Sequence, residues 1–126
     1  MNLISAASTA TSSTATVFQA TCTAAEQAGN AVYISSSGAV RRADASALAT
    51  ARVVGLIKSK SSATACEVQC SGELGGLADL VAGTTYFAAE TPGALCSTPG
   101  SVMVVVGEAL TATSLLIRLE DAENIA

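Results

Sequence analysis

The stretch from Gly83 to Leu119 limits the fold of this chain most tightly, because it is a succession of short β-prone runs separated by turn residues. Thr84–Phe87 and Val102–Val106 are rich in the β-branched and aromatic residues that strands favour. Thr91-Pro92-Gly93 is a turn signal, since proline presets φ and glycine accepts a positive φ. Gly107 interrupts a strand pattern, as glycine does at a bulge or at a close approach of two backbones. The stretch therefore predicts all-β structure.

The same succession of residues occurs earlier in the chain. The glycines at 29 and 83 are 54 residues apart, and those at 55 and 107 are 52 apart. This spacing predicts two related β units in tandem, although short strands and glycine turns can also resemble each other by chance. Two copies are too few for a solenoid, which needs about three repeats, so we expect one small sandwich or barrel. The matching segments are Gly29–Ile34 with Gly83–Ala88, Gly38–Val40 with Gly93–Leu95, and Arg52–Ile57 with Val104–Ala109.

Three regions follow from the composition along the chain. Residues 1–16 consist largely of Ala, Ser and Thr, which bury too little area to offset the entropy of ordering them. They are predicted to form an extended N-terminal arm, ordered on a partner or simply frayed, with Leu3 and Ile4 as its large apolar anchors. Residues 17–119 are the β-domain, and residues 120–126 form a short acidic C-terminal tail.

Two polar segments between the predicted strands have weaker signals. Ala43–Ala51 is alanine-rich but short, so it is predicted to be a loop with at most one or two helical turns and Asp44 as the helix N-cap. Lys58–Thr64 has no apolar alternation and is predicted to be a loop.

The alternation of Ala65–Ser71 predicts the clearest half-buried strand, with Cys66, Val68 and Cys70 on one face and Glu67 and Gln69 on the other. The following connection, residues 72–82, is predicted to send several apolar side chains into the core. These are Leu74, Leu77, Leu80 and Val81.

A core of small residues is the main consequence of the composition. The 126 residues are enough for one domain, and half of them are hydrophobic, but aromatic residues make up only 3%. Small side chains bury less apolar area, at about 25 cal/mol per Å². We therefore expect modest stability for an isolated monomer, and association with itself or with a larger partner.

The charge distribution narrows the choice of partners. A net charge of −4 argues against a general nucleic-acid-binding protein, which usually has a basic face. Five of the six basic residues fall within twenty positions, and this cluster faces either a partner or the solvent. No secretory signal and no membrane-length apolar run is visible, so we expect a protein made in a cytoplasm. The clustered residues are Arg41, Arg42, Arg52, Lys58 and Lys60.

Little in the sequence points to catalysis or to a cofactor. The chain has no histidine, so it lacks the commonest general base and cannot form a Ser-His-Asp triad. Its four cysteines include no CxxC pair, and small buried thiols without a structural disulfide are expected. Gly72-x-x-Gly75-Gly76 lacks the lysine and hydroxyl residues of a phosphate-binding loop. We expect no enzyme activity, no cofactor and no metal.

The order of these motifs resembles small structural proteins of tailed bacteriophages. The segments that carry the resemblance lie between about residues 28 and 119, and they include GNAVYISSSGAV, ARVVGLIKS, TPGAL and VVVGEALTATSLLIRL. Relatives of this kind are associated with capsid decoration, or cement, and some with tail-fibre or head-fibre modules. The resemblance implies a non-enzymatic, β-rich and commonly trimeric virion protein. Such a protein would be made in the host cytoplasm and would bind the major capsid protein on the capsid exterior.

A hypothesis about the attachment site follows from this resemblance. The arm, through Leu3 and Ile4, and the cluster of five basic residues are expected to face the capsid. The alternative is a fibre module that takes part in host attachment. No nucleic acid and no membrane is expected as a partner.

Overall fold

The computed structural model describes residues 15–124, and almost every regular element in that range is a strand. A single helical turn, α1 Leu48–Ala51, is the one helix among these residues, and it is too short to cross a membrane. The strands are β1 Val17–Thr21, β2 Ala31–Ile34, β3 Val40–Arg42, β4 Gly55–Ser62, β5 Ala65–Gln69, β6 Gly72–Leu74, β7 Thr85–Ala88, β8 Leu95–Cys96, β9 Val102–Met103, β10 Val105–Ala109, β11 Leu115–Ile117 and β12 Glu123–Asn124.

The strands form two five-stranded antiparallel sheets that pack as a sandwich, with β12 and β9 as a separate pair. The first sheet has the order β1-β5-β4-β2-β3, and the second has the order β6-β11-β10-β7-β8. Taken in chain order, the two sheets have the same topology, because β6, β7, β8, β10 and β11 occupy the places of β1 to β5. The prediction of a small all-β sandwich or barrel built from two related units is therefore confirmed, with the sandwich as the form adopted and each unit forming one sheet.

The matching glycines occupy matching places in the two units. Gly29 and Gly83 have φ angles of 90° and 82°, which favour glycine over other residues. The N–H of Gly29 donates to the Ile57 carbonyl at 2.8 Å, and the N–H of Gly83 donates to the Ala109 carbonyl at the same distance. Gly55 and Gly107 lie two residues before these acceptors, each against the backbone of the next strand. The repeat seen in the sequence is therefore also a repeat of backbone conformation and hydrogen bonding.

The core consists of two groups of buried side chains. The larger group lies between the sheets, and the first unit contributes Leu56, Ala45 and Ala51 to it. The smaller group, with Val32 and Ile57 among its members, belongs to the first unit alone. Tyr86 is the one buried aromatic residue in the described part of the chain. The prediction of a core built from small residues is confirmed.

Two local predictions for the first unit are wrong. The residue that caps α1 is Ala47, and the Asp44 side chain instead accepts hydrogen bonds from Ser46 and Thr50. Residues 58–62 are not a loop but the second half of β4, which pairs with β5 through two register shifts. This polar segment has no apolar face, so its hydrogen bonds to β5 hold it in the strand conformation.

Two predicted burial patterns also need correction. Gln69 is buried, because its side-chain amide donates to the carbonyls of Ser71 and Glu73, each at 2.9 Å. Val81 is exposed, although Leu74 and Leu80 are buried as predicted. The acidic tail is ordered as far as it is described, since Glu123 pairs with Met103.

Candidate interaction surfaces

The basic cluster predicted from the sequence is spread over several environments. Arg41 and Lys60 converge on the loop of residues 22–27: Arg41 Nε lies 3.6 Å from a carboxylate oxygen of Glu26. Lys60 Nζ donates to the carbonyl oxygens of Thr23 and Glu26, at 2.8 and 2.7 Å. These two basic residues therefore hold the loop in place and contribute to the fold.

Glu26 is the centre of that loop, and no sequence pattern pointed to it. It is only 1% exposed, and its carboxylate accepts hydrogen bonds from the N–H and the hydroxyl of Thr23, at 2.7 and 2.8 Å. Burial alone raises the pKa of this carboxyl group, but the bonds from Thr23, a backbone bond from Arg42 and the charge of Arg41 outweigh it and lower the pKa. Glu26 is therefore a satisfied structural carboxylate.

The other three basic residues have fewer contacts. Lys58 Nζ lies 3.9 Å from a carboxylate oxygen of Glu67, in a partly exposed pair that stabilises little. Arg42 is exposed beside Gly93, and Arg52 lines a surface groove of about 470 Å³ together with Glu120 and Asp121. Among the described residues, Arg42 and Arg52 have no ion-pair partner within 4.0 Å. They are the members of the cluster that remain free to meet a partner.

Leu3 and Ile4, the other half of the predicted attachment site, lie outside the described residues. The point where the chain joins the body is defined. The Thr16 carbonyl accepts a hydrogen bond from the N–H of Cys70 at 2.7 Å, and the N–H of Thr16 donates to the Ser71 hydroxyl at 3.2 Å. Ala15 lies against Gly72. Residues 15 and 16 therefore belong to the body, whereas residues 1–14 of the predicted arm lie outside the described residues.

Strand β1 has a free edge. The Thr16–Cys70 bond and the bond from Cys22 N–H to the Thr64 carbonyl, 3.0 Å, direct the backbone groups of the even-numbered residues towards β5. The backbone groups of Val17, Gln19 and Thr21 therefore point away from the sheet, and no other described strand pairs with β1.

This edge is also the least protected of the four edges of the two five-stranded sheets. Natural sheets usually blunt an edge with charges, proline or short length. Strand β3 carries two arginines, β6 carries a glutamate, and β8 has only two residues, whereas β1 has five residues and no charge. It is accordingly a template on which an extended segment of another chain could pair.

Several large apolar side chains are also exposed. Val81 is 63% exposed and Leu110 is 44% exposed. Ile34 lines a groove of about 370 Å³ together with Phe18 and Ala20 of β1. The sequence pattern predicts Val81 in the core and gives no signal for the exposure of Leu110 or Ile34, because only the neighbouring strands decide which apolar residues remain uncovered.

Cysteine and carboxylate side chains are the possible metal ligands among the described residues. No three cysteine, aspartate or glutamate side chains within residues 15–124 are arranged to hold a metal ion. Cys22 and Cys66 are buried next to each other as free thiols. Burial and the neighbouring Cys22 raise the pKa of Cys66 to about 11, so its thiol is protonated at neutral pH.

Comparison with known proteins returned no match to a protein-family model and no significant match to a curated protein.

Proposed function

We propose that this protein is a structural component of a phage particle that binds the outer surface of the capsid and stabilises the contacts between capsomers. The partner is the major capsid protein, and several copies of the chain act together. The sequence resemblance over residues 28–119 supports this assignment to a class. The structural observation that carries the proposal is the free, uncharged edge of β1, which begins where the predicted arm ends.

The position of this edge suggests how the protein attaches. Strand pairing needs a row of unpaired backbone groups, and Val17, Gln19 and Thr21 supply such a row. Residues 1–14 lead directly into it and carry no charged side chain, so an arm and a strand edge together offer a long surface for backbone pairing with the shell. Ordering the arm costs roughly 1–2 kcal/mol per residue, so it binds only where the shell returns hydrogen bonds and contact area.

Electrostatic attraction between the basic cluster and the shell has a smaller part in this proposal than the sequence suggested, because two of the five basic residues are engaged within the chain. Arg41 and Lys60 are engaged with the loop around Glu26, which leaves Arg42 and Arg52 as free positive charges. Their attraction to an acidic shell weakens over about 8–10 Å at ordinary salt. They therefore assist docking more than final affinity.

Binding to expanded, undecorated shells tests the proposal directly. Purified protein is mixed with shells, the shells are pelleted, and the bound protein is counted per particle and located by electron microscopy. The intact chain is expected to reach hundreds of copies spread over the shell and to raise the temperature at which the shell opens. A chain that lacks residues 1–14 is expected to keep its β-sheet circular dichroism and to lose most of its occupancy.

A matched pair of variants separates the arm's apolar anchors from its mere length. Replacing Leu3 and Ile4 by serine should lower the occupancy, whereas replacing Ser12 and Ser13 by alanine should not. If the shortened chain decorates shells as fully as the intact one, the arm has no part in attachment. If the intact chain binds no shell at all, the proposed function is wrong.

A fibre module is the second candidate, and the number of copies distinguishes it. A tail or head fibre is present in a few to tens of copies at fixed sites on the particle, whereas a decoration protein covers the shell.

A further inference from the structure

We propose that Val81 and Leu110, at one end of the second sheet, form the centre of a surface that binds a second copy of this chain. The two residues lie on adjacent backbone segments, residues 80–84 and 109–114, which we call the apolar end. Its other exposed members are small or hydroxylated: Ala82, Gly83, Thr111, Ala112 and Thr113. The inference rests on the self-association in the proposed function and assigns it to a particular surface.

The internal repeat allows the apolar end to be compared with its counterpart in the same molecule. The N–H of Thr84 donates to the Val81 carbonyl at 3.1 Å, and the N–H of Asn30 donates to the Gln27 carbonyl at the same distance. Val81 is therefore the counterpart of Gln27, in a turn whose third residue is a glycine of positive φ in both units.

Leu110 has a counterpart that is defined in the same way. The N–H of Ala109 donates to the Thr84 carbonyl at 3.0 Å, and the N–H of Ile57 donates to the Asn30 carbonyl at 3.0 Å. The next residue along each strand is Leu110 in the second unit and Lys58 in the first.

All four of these positions are exposed, but their chemistry differs between the units. The first unit has Gln27 and Lys58, and the second has Val81 and Leu110. Because both units keep the same backbone bonds, this part of the fold does not require apolar side chains at these positions. Exposed apolar side chains that the fold does not need indicate a contact surface.

The charges favour a second copy of the chain as the occupant. Residues 80–84 and 109–114 carry no charge, while the chain as a whole has a net charge of −4. Two acidic copies repel each other when charged faces meet, and like charges placed directly opposite are costly. Contact between copies through the apolar end brings only these neutral residues together and avoids that cost.

Much of the backbone of the apolar end is already hydrogen-bonded within the chain. Leu80 donates to the Ala112 carbonyl at 3.1 Å, Gly83 to the Ala109 carbonyl at 2.8 Å, and Leu110 to the Ser114 carbonyl at 3.0 Å. This surface therefore associates through side-chain contact and not through strand addition, in contrast to the edge of β1. A surface fixed in this way loses little further entropy on binding.

Exchange of side chains between the two ends tests the inference. The double variant Val81→Gln, Leu110→Lys places the residues of the first unit at the apolar end, so the fold should accept them. Light scattering over a range of concentrations is expected to show that the intact protein associates and that the variant's dissociation constant rises at least about tenfold. Val81→Thr nearly preserves the shape of the side chain and adds no charge. It is expected to raise the dissociation constant less than the double variant does.

The reverse exchange is the matched control. Gln27→Val with Lys58→Leu creates a second apolar end and is expected to give larger assemblies than the intact chain. Association through the apolar end should not weaken as salt is raised, whereas association through charges would weaken. Circular dichroism and urea unfolding establish that each variant is folded.

The outcomes separate this inference from the proposed function. A monomeric intact chain, or a folded double variant that associates as strongly as the intact chain, overturns the inference. If both are monomeric and the double variant binds shells less well, the apolar end contacts the shell and not a second copy. If the intact chain associates and the variant does not, while neither binds shells, the inference stands and the proposed function fails.

Discussion

Replacing Gly107 by alanine is expected to destabilise the protein strongly, because the next strand lies too close for a side chain. A Cβ atom at this position would collide with the Leu116 carbonyl oxygen, and it would lie 3.0 Å from the carbonyl carbon of that residue and 3.1 Å from the Ile117 Cα atom. These atoms are backbone, so no side chain can turn aside to make room. Only a displacement of β11 from β10 relieves the collision.

The size of the effect follows from opposing contributions. Overpacking of a filled interior costs about 1–3 kcal/mol, and each weakened backbone hydrogen bond of the β10–β11 pair adds roughly 0.5–1.5 kcal/mol. Alanine regains about 0.5–1 kcal/mol, because glycine loses more backbone entropy in a strand. The expected loss is about 3 kcal/mol, a large share of the roughly 5–15 kcal/mol that holds such a domain together.

Urea unfolding followed by circular dichroism measures this loss. For a slope of about 1–3 kcal/mol per molar urea, a 3 kcal/mol loss lowers the midpoint by roughly 1–3 M. Gly55→Ala should behave in the same way, because its Cβ atom would collide with the Gln69 carbonyl oxygen and lie 2.7 Å from Val68 Cγ1. Gly75→Ala is the control, since no atom beyond Gly75 itself and its two chain neighbours lies within 4 Å of its Cβ position. An unchanged midpoint for Gly107→Ala, or an equal loss for Gly75→Ala, would refute the close approach.

Two other predictions concern the buried ionisable groups. The pKa of Glu26 is lower in the folded protein than the ordinary glutamate pKa of 4.5. Its contribution to the free energy of unfolding is therefore complete above pH 4.5 and is lost as the pH falls through the lower pKa of the folded state. Urea unfolding at neutral and at acidic pH should therefore find that Glu26→Gln reduces stability at neutral pH and flattens its decline in acid; an equally steep decline would contradict this. Thiol titration of the denatured, non-reduced protein should count four free thiols, and in the native state Cys66 should react more slowly than the partly exposed Cys96. A count of two would reveal a disulfide.

The sequence predicts the architecture where a local signal decides the structure. A glycine with positive φ, such as Gly29 or Gly83, marks a turn whatever surrounds it. Gly107 marks a close approach because the neighbouring strand leaves no space for a side chain. The glycines at 29 and 55 recur 54 and 52 residues later, at 83 and 107. This recurrence predicted the two units, which the structure shows to have the same order of strands.

Features that depend on partners distant in the sequence could not be predicted in this way. Glu26 is an isolated acid in a polar turn, and its burial depends on Arg41 and on the side chain of Lys60, which is 34 residues away. The periodic leucines before Val81 suggested that this residue continues into the core. The turn that begins at Val81 instead directs its side chain outwards.

The divergence of the two units bears on how many copies can assemble. At three matching positions the first unit has Glu26, Gln27 and Lys58, where the second has Leu80, Val81 and Leu110. If both ends were apolar, each copy could bind one neighbour at either end, and such head-to-tail contacts extend into open chains unless their rotation closes a ring. Under the proposed association, a polar first unit leaves one apolar end per copy, so that assemblies would stop at a limited size. On the same proposal, Gln27 and Lys58 would keep the first unit from binding a further copy, while Arg41 and Lys60 hold the loop around Glu26 in place.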